Sequence, residues 1–211
     1  MVVVRGPHYR PEARILEREF DVPSSVSISI PVGSLRIVGE AERSRARVHV
    51  SVRSKYPDLA AEVELHIATE GDETRLRFTG PFTGAGSTQV SVDVLLLVPL
   101  TVEVRALNHL GSVSAYRLGT TCRLRSQLGA VRAELAADWA GADIDVRSSL
   151  GDVSLLLPRD LRVRLDVHSF RRGHVEAESM DDGVPTHVRA GVGTVSIRRF
   201  RRPRPSPASN L

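Results

Sequence analysis

The chain has 211 residues, 41% apolar and 26% charged, a globular composition that excludes bulk disorder. Its formal net charge of +4 comes from 29 basic against 25 acidic residues, and Lys55 is the only lysine among the basic ones. A single cysteine, Cys122, excludes an intrachain disulfide and a cysteine-built zinc site, and with aromatics at 4% the core falls to Val, Leu, Ile and Ala. So complete an arginine bias reads as the base composition of a GC-rich genome rather than as selection for phosphate binding.

Residues 1–19 form an N-terminal arm. Its opening, MVVVRGPHYR, has only the short apolar start Met1 to Val4 before Arg5, Gly6 and Pro7, and lacks the apolar stretch of a signal peptide. The segment Pro11 to Glu19 fits a short helix or an entering strand. From Val26 the pattern turns to alternation: Val26, Ile28, Ile30 and Val32, then Leu35 and Ile37 after Gly33. Further strands follow at Val48, Val50 and Val52, at Val63, Leu65 and Ile67, at Leu76 and Phe78, and at Val90, Val92 and Val94. Glu70 to Glu73 is a hairpin turn, and Thr79 to Thr88 a glycine-rich loop with neither the lysine nor the helix start of a phosphate cradle. The longest apolar run, Val94 to Leu100, is far too short to span a membrane. The expectation is a cytoplasmic protein, with peripheral attachment to a membrane left open.

From Leu110 the chain repeats a phrase: Leu110-Gly111-Ser112-Val113, Leu128-Gly129-Ala130-Val131, Leu150-Gly151-Asp152-Val153 and Val192-Gly193-Thr194-Val195, with Val32-Gly33-Ser34-Leu35 as an earlier copy. Across each glycine the apolar face changes parity. Val146 and Leu150 share one face, whereas Val153, Leu155 and Leu157 share the other. A one-residue phase shift at a glycine is what a corner produces, because glycine accepts backbone angles that branched residues resist. Each copy therefore reads as strand, corner, strand, with both strands feeding one core. Gly33, Gly111, Gly129, Gly151 and Gly193 are the structural corners, and Asp152 is expected to hydrogen-bond its own turn.

Units of about 20 residues with two short strands cannot bury a face alone and must stack. The predicted fold is all-β, a β-solenoid-like stack of short strands. It forms one domain over residues 20–200, irregular over 20–100 and regular over 101–200, followed by a disordered basic tail at 201–211 rich in Pro and Ser.

The segments EFDVPSSVSISIPVGSLRIVG, SVDVLLLVPLTVEVRALNHLGSVSA and the recurring LGDVSLLLP resemble the bacterial DUF4097 family, also called the "putative adhesin" or toastrack domain. The resemblance covers about Phe20 to Phe200. It implies a rack of stacked strands, often linked to the bacterial envelope and its stress responses, with adhesion or assembly rather than chemistry.

No catalytic motif is present, and no cofactor or small-molecule substrate is expected. His168, His174 and His187 fall in neighbouring repeats, with Asp143 and Asp145 on a shared strand face, a set that would need to converge closely to hold a metal and reads instead as polar surface. The sharpest electrostatic feature is the run Arg198, Arg199, Arg201, Arg202 and Arg204 around Phe200, a candidate anion contact. The function expected is a non-enzymatic scaffold or interaction module, taking a protein partner or self-associating. The alternative is an electrostatic binder of nucleic acid or an anionic membrane surface through that run.

Overall fold

The computed structural model describes residues 12–82 and 89–200. The chain enters along β1 (Glu12–Phe20) and makes a first coil from β2 (Ser25–Val32), the Gly33 corner and β3 (Leu35–Glu40). There follow β4 (Ala46–Ser54), a short helix α1 (Pro57–Ala61), β5 (Glu64–Glu70), β6 (Glu73–Thr79) and β7 (Val90–Pro99). Three coils come next. β8 (Glu103–Leu110) turns at Gly111 into β9 (Val113–Leu118), β10 (Cys122–Leu128) at Gly129 into β11 (Val131–Leu135), and β12 (Ile144–Leu150) at Gly151 into β13 (Val153–Pro158). β14 (Val163–Val175) and β15 (Val184–Phe200) end the described chain, and β15 passes through Gly193 to serve both faces of the stack.

On one face the strands lie in the order β5-β6-β2-β8-β10-β12-β15, and on the other β1-β4-β7-β3-β9-β11-β13-β15, with β14 along the outer side of β15. Neighbouring coils pair in parallel and in register, so that Val26, Val104, Cys122, Ile144 and Thr186 form one inward column. Ile37, Ala115, Ala133, Leu155 and Ile197 form another on the opposite sheet. These columns are fully buried or nearly so. Each buried Val, Leu or Ile contributes roughly 1.5–3 kcal/mol, and a coil gains this only from the coils beside it. At the β1 and β5 end the pairing becomes antiparallel, between β1 and β4, β4 and β7, and β5 and β6. There α1 starts on Pro57, and the Arg14 guanidinium donates to the Ala61 carbonyl at 2.5 Å and the Val63 carbonyl at 3.0 Å, tying down the orphan carbonyls at the helix end. The arm segment that fitted helix or strand is strand from Glu12 onward.

The corners form a stack of their own. The five corner glycines have φ between +129° and +148°, a region that only glycine occupies without strain. They are also closely approached: a Cβ on Gly111 would lie 1.7 Å from the Gly33 carbonyl oxygen, and one on Gly151 2.4 Å from that of Gly129. The Gly33, Gly111, Gly129 and Gly151 amides each donate to the residue before the next corner glycine, at 2.7–2.8 Å. Side chains complete the ladder. Asn108 donates to the Gly33 carbonyl at 2.9 Å, Ser126 to Gly111 at 2.8 Å and Ser148 to Gly129 at 2.8 Å.

Two corner details differ from the sequence expectation. Leu128, Leu150 and Val192 do not feed the core; they are 44%, 48% and 58% exposed, and in register they make an apolar ridge along the bend. The last inward position before the corner is three residues ahead of the glycine, where Asn108, Ser126 and Ser148 reach the neighbouring carbonyl, and the chain has begun to turn by the residue before the glycine. Asp152 bonds not its own turn but the next coil, accepting from the Thr194 amide and hydroxyl, both at 2.8 Å. In-register coils lie only about 4.8 Å apart, closer than a longer loop would bring its own donors. Asp93 clasps Ser34 in the same way at the first corner.

Candidate interaction face

Register turns the repeat into outward columns on the β6-β2-β8-β10-β12-β15 face. Counted back from each corner glycine, the sixth residue is Ser27, Arg105, Arg123, Asp145 or His187, and Arg75 on β6 continues that column. The fourth residue back is Ser29, Leu107, Arg125, Arg147 or Arg189, continued by Arg77. Seven arginines therefore stand on this face against four carboxylates, Glu73, Glu103, Asp143 and Asp145.

Two of the carboxylates are shared. Asp145, 5% exposed in its side chain, accepts from Arg125 at 2.9 Å and also from Arg147. Glu73 accepts from Arg75 at 2.8 Å and lies 3.8 Å from Arg105; the hydrogen bonds from Arg75 and Ser27 hold its carboxyl below the usual range. Asp143 faces Arg123 at 3.5 Å. Arg77 and Arg189 have no carboxylate partner among the described residues. Paired carboxylates keep the array from repelling itself, and the surplus cations leave a positive potential over a low-dielectric sheet.

The face is not flat. Ser27 and Ser29 are short where their neighbours are long, so a trough of about 400 Å³ runs over β2 between Arg75 and Arg77 on one side and Arg105 and Leu107 on the other, with Arg123 and Arg125 behind. A second depression of about 510 Å³ continues from Leu107 and Arg125 to Arg147 and Arg189. Across the stack the opposite face is different in kind. There Tyr116 sits between Arg36 and Arg132, whose guanidinium carbons are 5.2 and 5.7 Å from the ring centre.

The residues singled out from sequence distribute widely. The corner glycines lie along one edge, beside the arginine columns. Of the anion-contact candidates, Arg199 is spent on the body of the protein, donating to the Leu161 carbonyl at 3.1 Å and to that of Arg159, while Arg198 points to solvent. Arg201, Arg202 and Arg204 lie outside the described residues, as do residues 83–88 of the glycine-rich loop. His168 and His187 flank Asp166 at 2.8 and 3.1 Å, and the bond from His187 lowers the Asp166 carboxyl from its ordinary range. His174 pairs separately with Glu176 at 2.8 Å, and Asp143 and Asp145 are occupied by arginines. Among the described residues no group of three His, Cys, Asp or Glu side chains could hold a metal. Cys122 is fully buried, and desolvation pushes its thiol up to about 12, away from nucleophilic use.

The seven arginines of the face were the residues sequence reasoning passed over. Their signal was present in the repeat alignment, in Arg-Leu-Arg at Arg75 and Arg123, Asp-Val-Arg at Asp145 and His-Val-Arg at His187, each at a fixed distance from its glycine or paired coil.

No protein-family model matches the chain, and no curated protein matches it. Among solved structures, its fold is similar to that of a "putative cell adhesion protein" from Clostridium sporogenes, with a TM-score of 0.67 and 12% identity over 90% of this chain and 100% of that one. A "putative adhesin" from Bacteroides fragilis aligns with a TM-score of 0.39 and 12% identity over 90% of this chain and 99% of that one. The likeness to the Clostridium protein is one of fold, an all-β stack of parallel strands.

Proposed function

We propose that the protein is a non-enzymatic interaction module that holds a partner against the arginine-lined face of its stack. The observation that supports this reading is the register of Arg105 and Arg123, and of Arg125, Arg147 and Arg189, on successive coils. Ladder hydrogen bonds fix the spacing, so the cations are ordered before a partner arrives and less entropy is lost on binding. The likeness in fold to a protein described as a cell adhesion protein agrees with a role in contact rather than chemistry.

The test is titration of labelled polyglutamate into full-length, nuclease-treated protein. Affinity is expected to fall steeply between about 50 and 200 mM salt, as it does when arginines displace counterions. It is expected to be lost when Arg77, Arg105 and Arg189 are all changed to Ser. Binding that survives this triple change, or no binding of any polyanion, would overturn the assignment of this face. Self-association is a second element of the reading, since beyond its start, where Val163 bridges Ser179, β14 is strand-paired only with β15 among the described residues and presents a strand edge. Sedimentation velocity on the same protein checks it: discrete oligomers support assembly and a clean monomer removes it.

A further inference from the structure

We infer that the trough over β2 receives an extended acidic peptide segment of a protein partner, an inference that rests on the interaction-module reading above. The trough's width favours a single extended chain. β6 and β8 flank β2, so their facing side chains stand two strand spacings apart, about 9.6 Å, and the Ser27 and Ser29 side chains leave the space between them open.

Its chemistry has a period. Along a strand, residues two apart on one face are about 6.6 Å from each other. Arg75 and Arg77 stand at that interval on one wall, and Arg123 and Arg125 repeat it behind the other. A peptide lying along β2 in extended form carries its own alternate side chains at the same interval. Acidic residues at every second position would meet both pairs in phase, and guanidinium forks suit carboxylates bidentately. Leu107, in register with Ser29, adds one apolar contact in the same row as Arg77 and Arg125.

The cations of the trough are not fully committed within the protein. Arg77 has no ion-pair partner among the described residues, and Arg105 and Arg123 hold their carboxylates only at 3.8 and 3.5 Å. Nucleic acid fits less well. Single strands are held by stacking on aromatic rings as well as by charge, and no Phe, Tyr or Trp stands at the outward positions of this face.

The experiment uses the full chain and three fluorescent probes read by anisotropy: a peptide alternating Glu and Thr, an isomer of equal composition with its Glu residues in one block, and a single-stranded oligonucleotide. The alternating peptide is expected to bind more tightly than the block isomer by about fivefold, the scale of one well-aligned exposed ion pair. Arg77→Ser should weaken it by about two- to fivefold. The decisive variant is Ser29→Arg, which adds a cation while filling the trough. It should weaken the alternating peptide, whereas attraction to net charge alone would make it bind more tightly. Both substitutions sit at outward strand positions, and thermal melting verifies that each variant is folded. Equal binding of the two peptides, together with tighter binding by Ser29→Arg, would overturn the trough and leave the basic face standing. An oligonucleotide that binds more tightly than either peptide would overturn the peptide partner. Failure of all three probes would overturn the interaction-module reading itself.

Discussion

Gly151→Ala is the sharpest test of how the stack is held together. Gly151 has φ +148°, and a Cβ there would lie 2.4 Å from the Gly129 carbonyl oxygen, 2.5 Å from its carbon and 3.0 Å from the Ala130 amide nitrogen. Holding a non-glycine residue in this backbone region costs roughly 1–3 kcal/mol. Relieving the contact requires the two coils to part at the corner. That stretches the Gly129 amide bond to the Leu150 carbonyl and the Ser148 bond to the Gly129 carbonyl, both 2.8 Å, each contributing about 0.5–1.5 kcal/mol. The expected loss is about 4 kcal/mol, and for a chain of this length each kcal/mol lowers Tm by roughly 2–4 °C. Gly71→Ala is the internal control. Gly71 also has positive φ, +58°, but nothing lies within 4 Å of its added Cβ, so only the left-handed penalty of about 1–2 kcal/mol remains. Thermal melts by circular dichroism and urea midpoints read both variants. The reasoning is refuted if Gly151→Ala melts no lower than Gly71→Ala. Gly151→Val, branched at the same carbon, should be worse than either.

Two further predictions concern the corners. Ala190 is buried in register with Ser148, where the ladder would place a donor to the Gly151 carbonyl. Ala190→Ser is expected to raise the urea midpoint, by up to about 1 kcal/mol, and Ser148→Ala to lower it by a similar amount; equal effects of one sign would count against the ladder. The Asp152 carboxyl is lowered chiefly by the Thr194 amide, then by the Thr194 hydroxyl, against a small opposing desolvation. Its folded pKa lies below the unfolded one, so the clasp contributes stability above about pH 3.9 that is lost as pH falls through the folded value. Asp152→Asn keeps an acceptor but cannot titrate, so acid melting curves of the two proteins should converge toward low pH. Parallel curves throughout would show that the clasp does not titrate.

The glycine phrase made the architecture legible because one conformational requirement, positive φ at a close backbone approach, recurs at Gly111, Gly129, Gly151 and Gly193 and admits one residue type. Parity misled at Leu150 because an alternation rule assumes a straight strand, whereas the chain is already bending there and Ser148 holds the last inward place. The Asp152 clasp was hidden for a related reason. Local sequence shows which donors are near along the chain, not which ones a neighbouring coil delivers 42 residues later. β1 could not be told from helix because Glu12–Phe20 has mixed polarity and takes its conformation from β4. At the other end of the chain, the arginine run drew attention by density, yet Arg199 turned out to hold the body together.

Density is the wrong measure of charge in a repeat protein, and phase is the right one. The corner glycine and the donor three residues before it are constrained by the ladder, and the inward columns by packing, so substitutions there are read as stability. The sixth and fourth residues before the glycine touch neither the ladder nor the core, and coil packing nonetheless places them in straight columns. All seven arginines of the face lie in those two columns, from Arg75 and Arg77 at one end to Arg189 at the other, and Ser27 and Ser29 open the trough among them. A stack built this way separates what holds it from what the proposed face would hold: substitutions at those two offsets would change a partner while the corners and core keep the rack unchanged.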